Sequence, residues 1–142
     1  MAEMLHQIQI KASPEKVYEA LTAQNGLRSW WTSDTVAKPE VGSVAEFGFN
    51  NRATVFRMRV AELTPNQHVI WECLGDIDEW IGTRLIWELK AADNNFTNLR
   101  FTHANWRSTE GWFAMCNSTW GELIHRLKNF AEGKTPGPHF KG

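Results

Sequence analysis

The stretch Trp112 to Glu132 (WFAMCNSTWGELIHRLKNFAE) constrains this chain more than any other. At about 100° per residue, Trp112, Phe113, Cys116, Trp120, Leu123, Ile124, Leu127, Phe130 and Ala131 fall within an arc of roughly 120°. Asn117, Ser118, Glu122, His125, Arg126 and Lys128 take the other side. Ser108 or Thr109 is expected to cap the start, and Gly133 to end the helix. A helix of this length spans ~30 Å, so its apolar stripe needs a broad apolar surface to lie on.

Sheet-forming segments supply that surface. Met4 to Lys11 alternates as a first strand. Ser13-Pro14 opens a helix with Val17 and Leu21 on its buried face, Asn25-Gly26 breaks it, and Leu27 to Trp31 form a second short helical turn. Thr32 to Gly42 reads as a loop. Five further strands follow, in Val44–Phe49, Thr54–Glu62, His68–Leu74, Thr83–Lys90 and Phe96–Ala104. Their alternation puts Phe56, Met58, Trp71, Cys73, Trp87, Leu99, Phe101 and His103 on one face. Arg57, Arg59, Arg84 and Arg100 are left on the other face, interleaved with Glu62, Glu72 and Glu88 as a cross-strand charge lattice. Short turns between successive strands argue for an antiparallel meander. The class is therefore α+β, a curved antiparallel sheet of about six strands with two short helices and the long helix across it.

A chain of 142 residues suits one domain, taken as 1–133, with 134–142 as a loosely attached tail. The net charge of -1 gives no electrostatic argument for nucleic acid. No apolar run reaches a membrane span and no signal-peptide core opens the chain, so a cytoplasmic protein is expected, with Cys73 and Cys116 reduced and buried. Eight tryptophans and eight phenylalanines are many for this length, and they suit either a core or a rigid pocket wall.

The segments ASPEKVYEALT, LRSWW, EWIGTRLIWEL, NLRFTHANW and WGELIHRLK resemble the START-related (SRPBCC) superfamily. Within it the chain is similar to the group of the activator of 90-kDa heat-shock protein ATPase homologue. The resemblance covers about Leu5 to Gly133. It implies a helix-grip fold enclosing a cavity between sheet and last helix. It also implies one of several activities, including ligand carriage, a cyclase or aromatase reaction, and co-chaperone contact in a stress response.

His103 is the titratable group placed on the inner face, either as a polar contact or acid–base group for a ligand or as a structural histidine. Trp30 and Trp31, about 100° apart on a helix, cannot both face one core, so one is expected to be partly exposed. Asp76, Asp78 and Glu79 match no calcium-loop spacing and read as a solvated acidic turn, and the scattered histidines suggest no metal. The favoured reading is non-catalytic binding of a small hydrophobic or aromatic molecule. Its site would be Trp31, Phe56, Met58, Trp71, Trp87, Phe101, His103, Trp112, Cys116 and Trp120, with no cofactor, in a monomer or weak dimer. The alternatives are a co-chaperone-like domain that contacts a chaperone or other protein and stimulates a heat-shock ATPase, and a cyclase or aromatase using His103.

Overall fold

A computed structural model describes residues 2–75 and 77–142. Its elements run β1 (Ala2–Ile10), α1 (Pro14–Thr22), α2 (Gln24–Trp30), β2 (Asp34–Val36), β3 (Val44–Phe49), β4 (Thr54–Thr64), β5 (His68–Cys73), β6 (Arg84–Ala91), β7 (Thr97–Trp106) and α3 (Phe113–Ala131). One 7-stranded sheet has the order β1-β7-β6-β5-β4-β3-β2, with every neighbouring pair antiparallel. The strands from β2 to β7 meander, and β1 pairs with the last of them. A bulge between Val60 and Glu62 in β4 adds local twist to this open, curved sheet. With α3 laid across one face, the architecture is the helix-grip α+β fold.

The extra strand, β2, lies inside the stretch read as loop. Its three residues are held by partners distant in sequence. Thr35 and Thr32 are buried, and the Thr32 hydroxyl donates to the Gly48 carbonyl at 2.8 Å. A Cβ at Gly48 would lie 2.1 Å from the Asp34 carboxylate, so a side chain there would push Asp34 from its place.

Ser13 caps α1 as expected, accepting the Lys16 N–H, and Val17 and Leu21 are fully buried. The break between the short helices comes at Ala23, earlier than Asn25-Gly26, because Ala23 takes an extended conformation. Gly26 instead serves inside α2 as a contact surface. A Cβ on it would stand 2.9 Å from both the Cα and the carbonyl oxygen of Ala20. Trp30 and Trp31 are both buried, at 0% and 2% exposure, against the expectation for adjacent helical residues. Trp31 is the C-cap, with φ -102 and ψ -82, so the chain has left the helix and the 100° rule no longer applies. Trp30 gives its indole N–H to the Ala20 carbonyl, whereas Trp31 stacks on Phe47 at 4.2 Å.

The sheet's inner stripe is buried as its alternation requires: Met58, Trp71, Cys73, Leu85, Trp87, Leu99, Phe101 and His103. On the outer face Arg59 pairs with Glu72 at 2.8 Å and Arg100 with Glu88 at 3.9 Å. From α3 the buried contributors are Trp120, Leu123, Ile124, Leu127 and Ala131. The helix ends at Gly133 (φ 94), where Gly133 N–H bonds Phe130 O and Lys134 N–H bonds Asn129 O, a Schellman closure.

His103 sits in this core at 0% exposure with both ring nitrogens engaged. The Trp120 indole N–H donates to Nδ1 at 3.1 Å, which makes Nδ1 the unprotonated nitrogen. Nε2–H then donates to the Thr83 hydroxyl at 2.9 Å, and that hydroxyl donates to the Trp80 carbonyl at 2.7 Å. Burial pushes the imidazole pKa down to about 3.

Three outcomes follow from this packing. Gly26→Ala should cost about 1–3 kcal/mol in denaturant unfolding, because backbone meets the new methyl group. His103 should make stability fall as pH drops from about 6.5 towards its folded value, since only the unfolded chain takes up a proton in that window. His103→Gln should lower stability at pH 7 by roughly 1–3 kcal/mol and remove this histidine's share of the acid sensitivity. Unfolding curves at several pH values measure all three.

Candidate functional site: an aromatic cleft beside the long helix

The middle of α3 is pressed to the sheet, but its first turns are only partly so: Phe113 and Cys116 are half-buried against the core. Trp112 is 38% exposed and Met115 62%, while Trp120 and Leu123 are buried. Beneath this overhang is a cleft of about 440 Å³. Phe49 and Phe56, from the β3–β4 hairpin, form one wall, with Trp80 and Trp112 beside them. Trp31, Trp120 and Leu123 lie at its base, and Phe140 closes one end. Neighbouring rings touch along the wall, with Phe56 at 4.3 Å from Trp80 and Phe49 at 4.9 Å from Phe140. Polar lining comes from Asn50, Thr54, Thr119 and Lys141, and no acidic side chain lines the cleft among the described residues.

Local chemistry sets this geometry. The first residue before α3, Trp112, has no side-chain cap of its own, so Ser108 and Thr109 do not fill that role. Glu79 does, accepting the Trp112 N–H at 3.2 Å from a loop far away in sequence. Gly111 (φ 69) leaves room for that carboxylate, since a Cβ there would be 2.1 Å from it. The acidic turn is thus partly a helix cap; Asp76 lies outside the described residues. The Cys116 thiol lies at the cleft surface, half-buried rather than fully buried. Burial raises its pKa, the Trp80 indole works against that rise, and the Glu79 charge adds to it. Cys73 is buried and its thiol is pushed up to about 12 by desolvation, partly offset by Thr83. Both cysteines are free.

Of the residues expected in a site, Trp31, Phe56, Trp112, Cys116 and Trp120 line the cleft. Met58, Trp71, Trp87, Phe101 and His103 lie behind it in the closed core. Phe101 and Trp87 back onto Trp120 at 4.5 and 5.8 Å and so hold the cleft's base in place. His103 has no free ring nitrogen to offer a ligand. Sequence reasoning missed Phe49, Trp80, Met115 and Phe140. A signal existed for Trp80, a large ring inside an otherwise acidic turn. The other histidines have separate partners: His6 with Asn117, His68 with Thr64, His125 with the Gly121 carbonyl and His139 with Glu122. Among the described residues no group of His, Cys, Asp and Glu is placed to hold a metal ion.

A hollow of about 540 Å³ between α1, α2 and the end of α3 is larger but different in kind. Lys16, Glu19, Gln24 and Asn25 line it, so its surface is already suited to water. No helix among the described residues is long and apolar enough to cross a membrane.

Known proteins place this architecture. The Aha1 of Colwellia psychrerythraea, solved as a dimer in solution, is 40% identical, with a TM-score of 0.86, covering 94% of this chain and 98% of that one. A protein of Mesorhizobium loti matches at 18% identity and TM-score 0.79, over 90% of this chain and 95% of that one. One from Bacillus halodurans matches at 18% and 0.75, over 93% and 98%. These two speak for the fold alone. No curated protein matches. The family model described as Activator of Hsp90 ATPase homolog 1-like protein matches residues 11–132. On that match, and on the likeness to the Colwellia protein, the chain belongs to the Activator of Hsp90 ATPase homolog 1-like family, within the START-related superfamily.

Proposed function

We propose that this protein binds a small, flat, apolar molecule in the aromatic cleft under the first turns of α3. The observation that carries this reading is a cleft of about 440 Å³ walled by Trp, Phe and Met with few polar groups. Sites for small molecules have this size and composition, with sparse polar groups to orient the ligand. Acid–base chemistry has little support, because His103 is sealed behind Trp80 and Trp120 and held neutral.

A second reading has its own observation. Trp112 and Met115 expose apolar surface at the cleft, and the Colwellia relative is a dimer. Contact with a protein partner, a chaperone or another copy included, would use that surface. Met115→Glu should weaken such association, which sedimentation of the purified protein at rising concentration would measure.

For the cleft, a planar hydrophobic dye should bind at micromolar levels, on the order of -8 kcal/mol, and quench tryptophan emission. Cys116→Trp should fill the space and weaken binding at least about tenfold, a loss of ~1.4 kcal/mol, with little change in the unfolding midpoint. Saturating ligand should also protect Cys116 from alkylation. If no flat apolar compound gives saturable quenching, the cleft reading fails and the surface reading replaces it.

A further inference from the structure

Phe140, Lys141 and Gly142 belong to the lining of the aromatic cleft, yet they sit in a segment with no helix or strand of its own. Phe140 is the only large apolar side chain from Gly133 to Gly142, and its ring meets Phe49 edge-on at 4.9 Å. That ring ends a row, since Phe49 lies 5.2 Å from Phe56 and Phe56 4.3 Å from Trp80. No residue of the segment is fully buried, so apolar burial is a weak tether and polar contacts must hold the ring in place.

Those contacts come from two directions. Arg126, on α3, donates from one guanidinium nitrogen to the carbonyls of Pro136 at 3.0 Å and Gly137 at 2.8 Å. His139 lies 2.7 Å from Glu122 on the same helix. From the chain after α2, the Trp31 carbonyl accepts the Phe140 N–H at 2.9 Å, and the Ser33 N–H donates to the Phe140 carbonyl at 3.1 Å. Arg126 itself stands outside the cleft. Only Pro138 and His139 separate its grip from Phe140, and the proline ring fixes one of the backbone torsions between them.

We propose that Arg126 is a positioning residue for the ligand site, acting through Phe140, and that bound ligand and residues 136–142 stabilise each other. The inference rests on reading the cleft as a binding site. A charge-assisted donor shared by two consecutive carbonyls is stronger than the neutral backbone bonds near it, so Arg126 carries much of the attachment. Molecules in which Phe140 has left the wall offer ligand less surface, and apparent affinity falls with the fraction that keeps the ring in place. Linkage works equally in reverse, so a ligand packed against Phe140 strengthens the segment's attachment.

The test uses the full chain, with anilinonaphthalene sulfonate as probe and quenching of tryptophan emission as readout. Phe140→Ala should weaken dye binding roughly tenfold, and Arg126→Gln about fivefold, with the unfolding midpoint unchanged in both. Arg126→Lys, which keeps a cationic donor, should restore most of the affinity. The double variant should bind no more than about twofold more weakly than Phe140→Ala alone, because Arg126 acts through that ring. Saturating dye should slow amide exchange at Ser33 and Phe140 in the wild type. Unchanged affinity in Arg126→Gln or in Phe140→Ala overturns the inference while the cleft stands. So does a double variant in which the two losses multiply in full. If no dye binds the wild type, the cleft reading falls and this inference with it.

Discussion

The indole of Trp120 ties the long helix to the sheet. Its N–H reaches His103 on β7, and its ring lies within 4.5–6.2 Å of Phe101, Trp31, Trp87 and Trp80. Those partners come from β7, the end of α2, β6 and the loop before β6, so one side chain joins most of the molecule. The imidazole must stay neutral to accept that N–H. A histidine is suited to this place because it accepts at one edge and donates at the other, passing on to Thr83 and the Trp80 carbonyl. The result is a polar thread in an aromatic core with each member satisfied. It fixes the angle at which helix and sheet meet.

Fixing the helix at its middle determines what happens at its ends. Beyond Trp120 towards the C-terminus, Leu123, Ile124, Leu127 and Ala131 stay in contact with the core. Towards the N-terminus Phe113 and Cys116 keep only partial contact with the core, Phe113 against Trp106 of β7, while Met115 and Trp112 are exposed. Glu79 holds this overhanging end by accepting the Trp112 N–H, so the opening persists instead of collapsing. The core and the cleft are thus two consequences of one crossing. Side chains shared between them, Trp31 and Trp120, face the closed cluster on one side and the cleft on the other.

Much of this was legible in the sequence. Period-2 stripes identified Trp71, Trp87, Leu99, Phe101 and His103 as inward, and the period-3.6 stripe identified the helix face. Such patterns are local, and burial enforces them. What the sequence withheld was pairing over distance. β2 exists because Thr32 and Asp34 meet Gly48. The tail reads as polar, Pro- and Gly-rich chain, yet it is held by Arg126, Glu122 and the backbone of residues 30–33. His103 could be placed inside from alternation, but its partners Thr83 and Trp120 lie on other elements and decide its role. The site was legible only in part, because the apolar stripe of α3 continues through Cys116 and Trp112 without marking where the sheet stops beneath it. The recognised family resemblance supplied the fold and a menu of functions, and residue geometry narrows that menu.

The sheet is open, so it has two edges, and they differ in what they offer a neighbouring strand. At one edge β2 is three residues long and its approach carries the Thr32–Phe140 bridge. An incoming chain finds few backbone groups there to template against. At the other edge β1 is nine residues long, with Leu5 55% exposed on its outer side. Three features limit growth at that edge: the register shift between Ala2 and Met4, the charge of Glu3, and the Lys11 N–H already bonded to Glu132 of the long helix. Resistance to runaway sheet extension is therefore carried unequally, by brevity at one margin and by interruption at the other. Substitutions that smooth or lengthen β1 would concentrate aggregation risk there.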